Sequence, residues 1–362
     1  MRYLLLSLFC LSCTSLFAFE AGDTVFVIAK NGVSLKDPDG VVSTTDPGWD
    51  LTVQKFDGQR LLVQRNDEQG WINAQDVATA DRAIQVFTEA IKSETTAEAH
   101  SVRGRIYEAT GQTELAERDY SAAIRLLPKN ALYYYQRGNL AFSQQNYDAA
   151  IADADKSMRV PSPYYDIALA MRGHCWLFKG EHDKAIADFD KLLQLYPERT
   201  DVLLSRSRAW YSKGEFDKAA ADADGLIQAN PKDVNAYMMR ALIHRQKGEF
   251  AKHIADLTQV VRLDPEHAFA LDYLAWLLAT IPDEKLRDGK RAIEYARKAQ
   301  EINGEKPGAL VALAAAYAAD GQFAEAIKWQ KKAIEKTAGE TPDLYREMLQ
   351  RFEAGKPYAT EM

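Results

Sequence analysis

The sequence predicts a mainly α-helical repeat solenoid with a small β module in front of it. Three observations carry that class. Arginine recurs at Arg103, Arg137, Arg172, Arg206 and Arg240, and aspartate at Asp119, Asp153, Asp188, Asp222 and Asp256, each row stepping by 34 or 35 residues. Small residues follow the same period at Gly104, Gly138, Gly173, Ser207, Ala241 and Ala275. Proline punctuates the rows at Pro128, Pro197, Pro231 and Pro265, where it cannot continue a helix. A period in this range marks stacked helical hairpins, each too small to bury its apolar face alone. Such a stack offers an extended concave surface rather than an enclosed reaction site.

Residues 1–18 read as a secretory signal. Arg2 supplies the positive start, 4–17 is an apolar run, and Ala18 is small enough for cleavage. The run is shorter than the roughly 20 apolar residues a membrane-spanning helix needs. A lipid anchor through Cys13 is the other reading, although Cys10, Leu11 and Ser12 make a poor lipobox. The expected location is therefore exported, periplasmic or extracellular. Beyond this segment only Cys175 remains, so no intrachain disulfide framework is available. Cys175 lies in a helical stretch beside Trp176 and reads as a small buried hydrophobe.

Residues 19–78 form the β module. Val25, Val27 and Ala29 alternate with Phe26, Ile28 and Lys30, as a half-buried strand requires. Residues 51–56 and 60–66 flank Asp57 and Gly58, a hairpin signal. With Gly70-Trp71-Ile72 as a further strand, five short strands predict a small barrel. Gly70-Trp71-Ile72 followed by Asp76-Val77 resembles a bacterial SH3-like domain. That resemblance implies binding of cell-wall peptides or other proteins. The acidic, tyrosine-rich face that takes proline-rich ligands is absent, and Trp71 reads first as a packed barrel residue.

Residues 79–340 read as helix throughout. Gly111, Gly180, Gly214, Gly248 and Gly321 fall where two helices of a hairpin join. In residues 166–199, Leu169, Gly173, Trp176, Ala185, Phe189, Leu192 and Pro197 stand in the order of the tetratricopeptide signature, which the whole array resembles. The hairpins are 97–130, 131–165, 166–199, 200–233, 234–267, a longer 268–306 and 307–340. Residues 79–96 look like the second helix of a leading half-repeat, with the β module seated where its first helix would be. His253 replaces the packing alanine, which predicts a looser or locally shifted helix pair there, and 280–289 is an insertion. Residues 341–362 hold a capping helix and tail, with a polar outer face. With Leu274-Ala275-Trp276-Leu277-Leu278-Ala279-Thr280 leading into the 280–289 insertion, the chain as a whole resembles exported bacterial repeat proteins of planctomycete type with an N-terminal SH3-like module, and that resemblance implies no activity.

The composition and motifs exclude several functions. A net charge of −7 is wrong for a nucleic-acid footprint. The sequence contains neither HExxH, a phosphate-cradling GxxxxGK, nor a GxSxG elbow, and its six histidines form no metal-ligand pair at helical spacing. No enzyme, cofactor or metal is expected. The Arg and Asp rows are 16 residues apart, one on each helix of a hairpin, and predict a structural ion-pair ladder within or between hairpins.

Function is expected where the repeats differ. The first helix of each hairpin lines the concave side, placing Arg105, Tyr135, Asn139, Phe142, His174, Phe178, Arg208, Tyr211, Met238 and Arg245 inward. Tyr, Met and Arg are enriched at protein interfaces. The carboxylate-clamp version of the family carries lysine where Tyr135 stands, so only Asn139 matches it. The expected function is an exported adaptor that binds a protein or peptide in this groove. The alternative is a peptidoglycan-binding protein that acts through the β module, with the solenoid as spacer.

Overall fold

The computed structural model describes residues 20–29, 32–37, 40–46, 49–57, 59–338 and 340–360. The secretory reading of 1–18, with Cys10 and Cys13, lies outside the described residues, as do Lys30 of the first expected strand and Gly58 of the expected hairpin. Two compact units divide the chain, residues 1–175 and 176–362.

The first unit begins with seven strands: β1 Thr24–Val27, β2 Val33–Asp37, β3 Gly40–Thr45, β4 Asp50–Phe56, β5 Arg60–Arg65, β6 Glu68–Asn73 and β7 Val77–Ala78. They form one antiparallel sheet in the order β3-β2-β6-β5-β4-β1-β7. This differs from the expected five-stranded barrel. Among the described residues no ladder joins β3 to β7, so the sheet is open. The β4–β5 hairpin pairs Val53 with Val63. Alternation puts Val25, Val27, Leu51, Val53, Leu61 and Val63 in the sheet's own core. Phe26, between Val25 and Val27, takes the opposite face.

That opposite face seats the helices. Phe26 and Ala78 pack with Ala83 and Phe87 of α1 (Ala80–Ser93) and with Val102 and Ile106 of α2 (Ala97–Ala109). The unit continues with α3 (Thr113–Leu126), α4 (Ala131–Ser143) and α5 (Tyr147–Met158). Helix α6 (Tyr165–Phe178) carries the boundary between the units. Gly104 is required by close approach: a Cβ there would lie 2.8 Å from the ring of Tyr120. Tyr120 is fully buried and donates its hydroxyl proton to Glu108 Oε2 at 2.5 Å.

The second unit holds α7 (His182–Leu195), α8 (Leu203–Ser212), α9 (Phe216–Ala229), α10 (Val234–Gln246), α11 (Phe250–Leu263), α12 (Ala268–Thr280), α13 (Gly289–Asn303), α14 (Pro307–Ala319), α15 (Phe323–Lys336) and α16 (Asp343–Glu353). Hairpins close through a left-handed residue such as Gly214, at φ +77°. In the 131–165 hairpin Gln145 takes that conformation at φ +60°. The 280–289 insertion is tied down rather than loose. Arg287 Nε donates to the Ile281 carbonyl at 2.7 Å, and Asp288 caps α13 by accepting from the Arg291 N–H at 3.0 Å. Met348 and Phe352 of α16 are buried against the last hairpin. The tail then returns to α12, where the Thr360 N–H donates to the Thr280 carbonyl at 2.8 Å. That carbonyl is one of those a helix end leaves without an internal partner.

Candidate functional site

The arginine and aspartate rows occupy the scaffold. Arg103 Nε donates to Asp119 at 2.7 Å, Arg137 Nε to Asp153 at 2.8 Å, Arg206 Nε to Asp222 at 2.8 Å and Arg240 Nε to Asp256 at 2.9 Å. A second nitrogen of each guanidinium bonds the same carboxylate, giving a fork. A third reaches the preceding hairpin: Arg103 to Thr88, Arg137 to Ser121, Arg206 to Asp190 and Arg240 to Asp224. Arg172 likewise bonds Asp155. Asp188 is buried and lies in the other unit. Hydrogen bonding to Asp256, then to Asp224, holds Arg240 well above the ordinary guanidinium range. An outer row, not anticipated from sequence, pairs Lys213 with Asp183 and Lys247 with Asp217.

The residues expected in the groove separate into four settings. Arg208, Met238 and Arg245 come together in the second unit, around a cavity of about 350 Å³. Tyr135, Phe142 and Tyr211 are half-buried and engaged with other rings: Tyr135 stacks on Tyr164 at 6.1 Å, Phe142 meets Tyr147 edge-on at 5.9 Å, and Tyr211 meets Phe216 at 5.5 Å. Asn139 is exposed, His174 half-buried and Phe178 61% exposed. Arg105 has a different setting: its guanidinium lies 5.8 Å from the ring of Trp49, which Arg65 covers at 3.6 Å. Burial pushes Arg105 below its usual range. The repeat pattern could not anticipate this, because Trp49 belongs to the β module.

The cavity lies between α10 and α12, with α8 at one side. Helix α10 contributes Asn235, Met238, Leu242 and Arg245, and α12 contributes Phe269 and Tyr273. Leu257 and His253 come from α11. Phe269 is 62% exposed and stacks on Tyr273 at 5.9 Å. Sequence mapping missed Phe269 and Tyr273 because it stopped at α10. Phe269 is the second residue of its hairpin, as Asn235 is of the one before, which was a readable signal.

His253 is where the structure departs from the expectation of looser packing. It is only 2% exposed, and both ring nitrogens are bonded. Nδ1 lies 2.7 Å from the Ala241 carbonyl oxygen and Nε2 3.3 Å from the Tyr273 hydroxyl. A carbonyl only accepts, so Nδ1 carries the proton. Burial holds the imidazole below its usual pKa, which keeps it neutral and leaves Nε2 to accept from Tyr273. Burial also raises the Tyr273 phenol.

A second concavity, of about 440 Å³, lies on the β module beside half-buried Trp71. Arg60 sits 5.1 Å from that ring, and Asn73 and Asp76 complete the rim. Among the described residues no group of three or more metal-ligating side chains converges, and no helix is long and apolar enough to cross a membrane.

Comparison with known proteins gives this architecture a family. A model described as Tetratricopeptide repeat matches residues 79–131, 101–166, 135–201, 177–234, 204–268 and 283–341, more than half of the chain. The chain belongs to the tetratricopeptide repeat family. Proteins built from this repeat mediate protein–protein interaction. The matched segments leave out 269–282, which carries Phe269, Tyr273 and the start of the insertion. This tetratricopeptide repeat chain is 28% identical over 123 residues to small glutamine-rich tetratricopeptide repeat-containing protein 2 of Saccharomyces cerevisiae, covering 34% of this chain and 35% of that protein. It is 36% identical over 77 residues to tetratricopeptide repeat protein 6 of Homo sapiens, covering 21% of this chain and 15% of that one. The chain thus spans about a third or less of the curated relatives it matches. Among solved structures, the C-terminal part of a repeat protein from Cytophaga hutchinsonii superposes with a TM-score of 0.56 at 15% identity, covering 65% of this chain and 94% of that one. At that identity the likeness speaks to fold alone.

Proposed function

We infer that this chain is a non-enzymatic, exported adaptor that binds a protein or peptide in the groove formed by the first helices of its repeats. One observation carries the reading: the α10–α12 cavity combines exposed apolar surface with Arg208 and Arg245 at its edge. Aromatic, Met and Arg side chains around a concave apolar floor are the make-up of a binding hot spot. Photocrosslinking in the native host tests the reading. A crosslinker at Met238 captures a protein, whereas one at exposed Gln228 on α9 does not. Equal capture from both positions removes the groove from the argument. Export is tested separately, by mass spectrometry of the mature N-terminus, which lacks residues 1–18 if the segment is cleaved.

The Trp71 concavity favours a second reading, in which the β module binds peptidoglycan. An aromatic ring with a cation over one side and polar groups at the rim suits a sugar or peptide stem. Full-length protein then co-sediments with purified peptidoglycan, and Trp71→Ala abolishes it. Absence of co-sedimentation by the unmutated chain ends that reading.

A further inference from the structure

The arginines at the α10–α12 cavity differ in kind from those of the scaffold. Arg206 and Arg240 each bond two aspartates. Arg208, two residues along the same helix as Arg206, is exposed, and so is Arg245. Among the described residues neither makes an ion pair. The cavity lining contains no carboxylate. On a chain of net charge −7 this is a local positive rim around an apolar floor. Arginine offers only donors. The Tyr273 hydroxyl proton is turned inward to His253 Nε2, so the rim asks an incoming group for an acceptor.

We propose that this cavity is the specificity subsite of the groove: it takes an aromatic or branched apolar side chain of an extended peptide whose neighbouring carboxylate pairs with Arg208 and Arg245. The proposal rests on the groove reading above and names its ligand. A volume of about 350 Å³ admits one such side chain with room to spare. Phe269 supplies an exposed ring for it to stack on, and Met238 and Leu242 supply the adaptable wall. Arg245 and Tyr273 also line a neighbouring concavity, where the chain's own tail meets α12, with Tyr358 against Trp276 at 6.0 Å and Thr360 bonded to the Thr280 carbonyl.

The test uses the full chain with ¹³C-methyl methionine and short blocked Gly/Ser peptides that carry a central Phe-Asp, Phe-Lys or Ser-Asp. A fourth peptide ends in Phe with a free carboxylate, which distinguishes a chain terminus from a side chain as the source of the charge. Phe-Asp moves the Met238 and Met239 methyl signals and binds at least about tenfold more tightly than Phe-Lys and Ser-Asp. Arg208→Gln with Arg245→Gln removes the preference for Phe-Asp over Phe-Lys; both positions are exposed, and because Arg245 also lies 5.9 Å from the Tyr273 ring, circular dichroism of the double variant checks that the fold is retained. Equal binding of the three blocked peptides overturns the proposal, as does the absence of any shift. Methyl shifts that grow with protein concentration alone also overturn it, since they make a second copy of the chain the occupant. If the peptides fail while the Met238 crosslinker still captures a protein, the anchor chemistry is wrong and the groove reading stands. If both fail, the groove reading falls as well.

Discussion

The neighbouring hairpins 200–233 and 234–267 share one frame and invert one contact. In both, an arginine on the first helix forks onto a buried aspartate on the second, at 2.8 and 2.9 Å. In both, a polar group also meets a carbonyl twelve residues away, but from opposite sides. Ser207 Oγ on α8 donates to the Ala219 carbonyl on α9 at 2.7 Å. His253 Nδ1 on α11 donates to the Ala241 carbonyl on α10 at 2.7 Å. The first arrangement keeps a small side chain at the packing position. The second puts an imidazole there, which reaches Tyr273 of the next hairpin, and the cavity opens at that contact. The fork is thus common to both hairpins, while the residue at the packing position differs, and the cavity lies beside the hairpin that carries the imidazole.

Cutting the ladder is the strongest way to break this comparison. Asp222 and Asp256 are buried, so removing their arginines leaves a carboxylate without its fork. Arg206→Ala is expected to cost about 3 kcal/mol, measured by urea denaturation. Arg240→Ala should cost less, because His244 Nε2 lies 3.6 Å from Asp256 and can take over part of the contact. Costs below about 1 kcal/mol for both would make the forks surface pairs in energetic terms.

Exchanging the packing residues tests the inverted contact at a smaller scale. Ala219→His introduces a ring where the fully buried alanine leaves no space, and the hydroxyl of Ser207, which now donates to the Ala219 carbonyl, is packed against that position. The residue twenty positions on is Met239, which offers no hydroxyl. A loss of about 2 kcal/mol is expected from overpacking. His253→Ala restores the family's usual residue and costs about 1 kcal/mol, because it leaves the Tyr273 hydroxyl without its acceptor. If His253→Ala costs nothing, the bond to Tyr273 contributes nothing.

How much of this was legible depended on whether one hairpin or several were involved. The hairpins follow from the period because each repeats the same small, charged and turn positions. The Arg and Asp rows could be placed on opposite helices for the same reason. The outer row of Lys213 with Asp183 and Lys247 with Asp217 also has a period, and counting across 30 residues rather than 16 would have found it. The setting of Arg105 had no such signal, since its neighbour Trp49 lies in a module outside the repeat. His253 was visible as a departure, but its consequence was not. Whether a histidine at a packing position strains the pair or is bonded depends on the Ala241 carbonyl and on a tyrosine in the next hairpin. The open sheet has a similar cause, since alternation identifies strands and their inward faces but not whether the two edges meet.

The smallest expected effect is the dependence on pH, and it isolates His253 from everything the two hairpins share. Burial holds its imidazole below the usual value. The Ala241 carbonyl and Asp256 favour the charged ring, whereas Arg245 and His244 oppose it. An unfolded histidine takes up its proton near pH ~6.5. Just below that pH the unfolded chain therefore binds more protons than the folded one, and stability falls as pH falls through this window. Carboxylates elsewhere titrate in both the unmutated chain and His253→Ala, so the comparison between the two removes them. The stability advantage of the unmutated chain is largest above pH ~7 and shrinks toward pH ~5.5, by less than about 1.4 kcal/mol per pH unit. Thermal melting of the two proteins across that range reads the change. An advantage that stays constant would mean that the ring is protonated as easily in the fold as out of it, and the neutral Nε2 acceptor that orients Tyr273 would have to be given up.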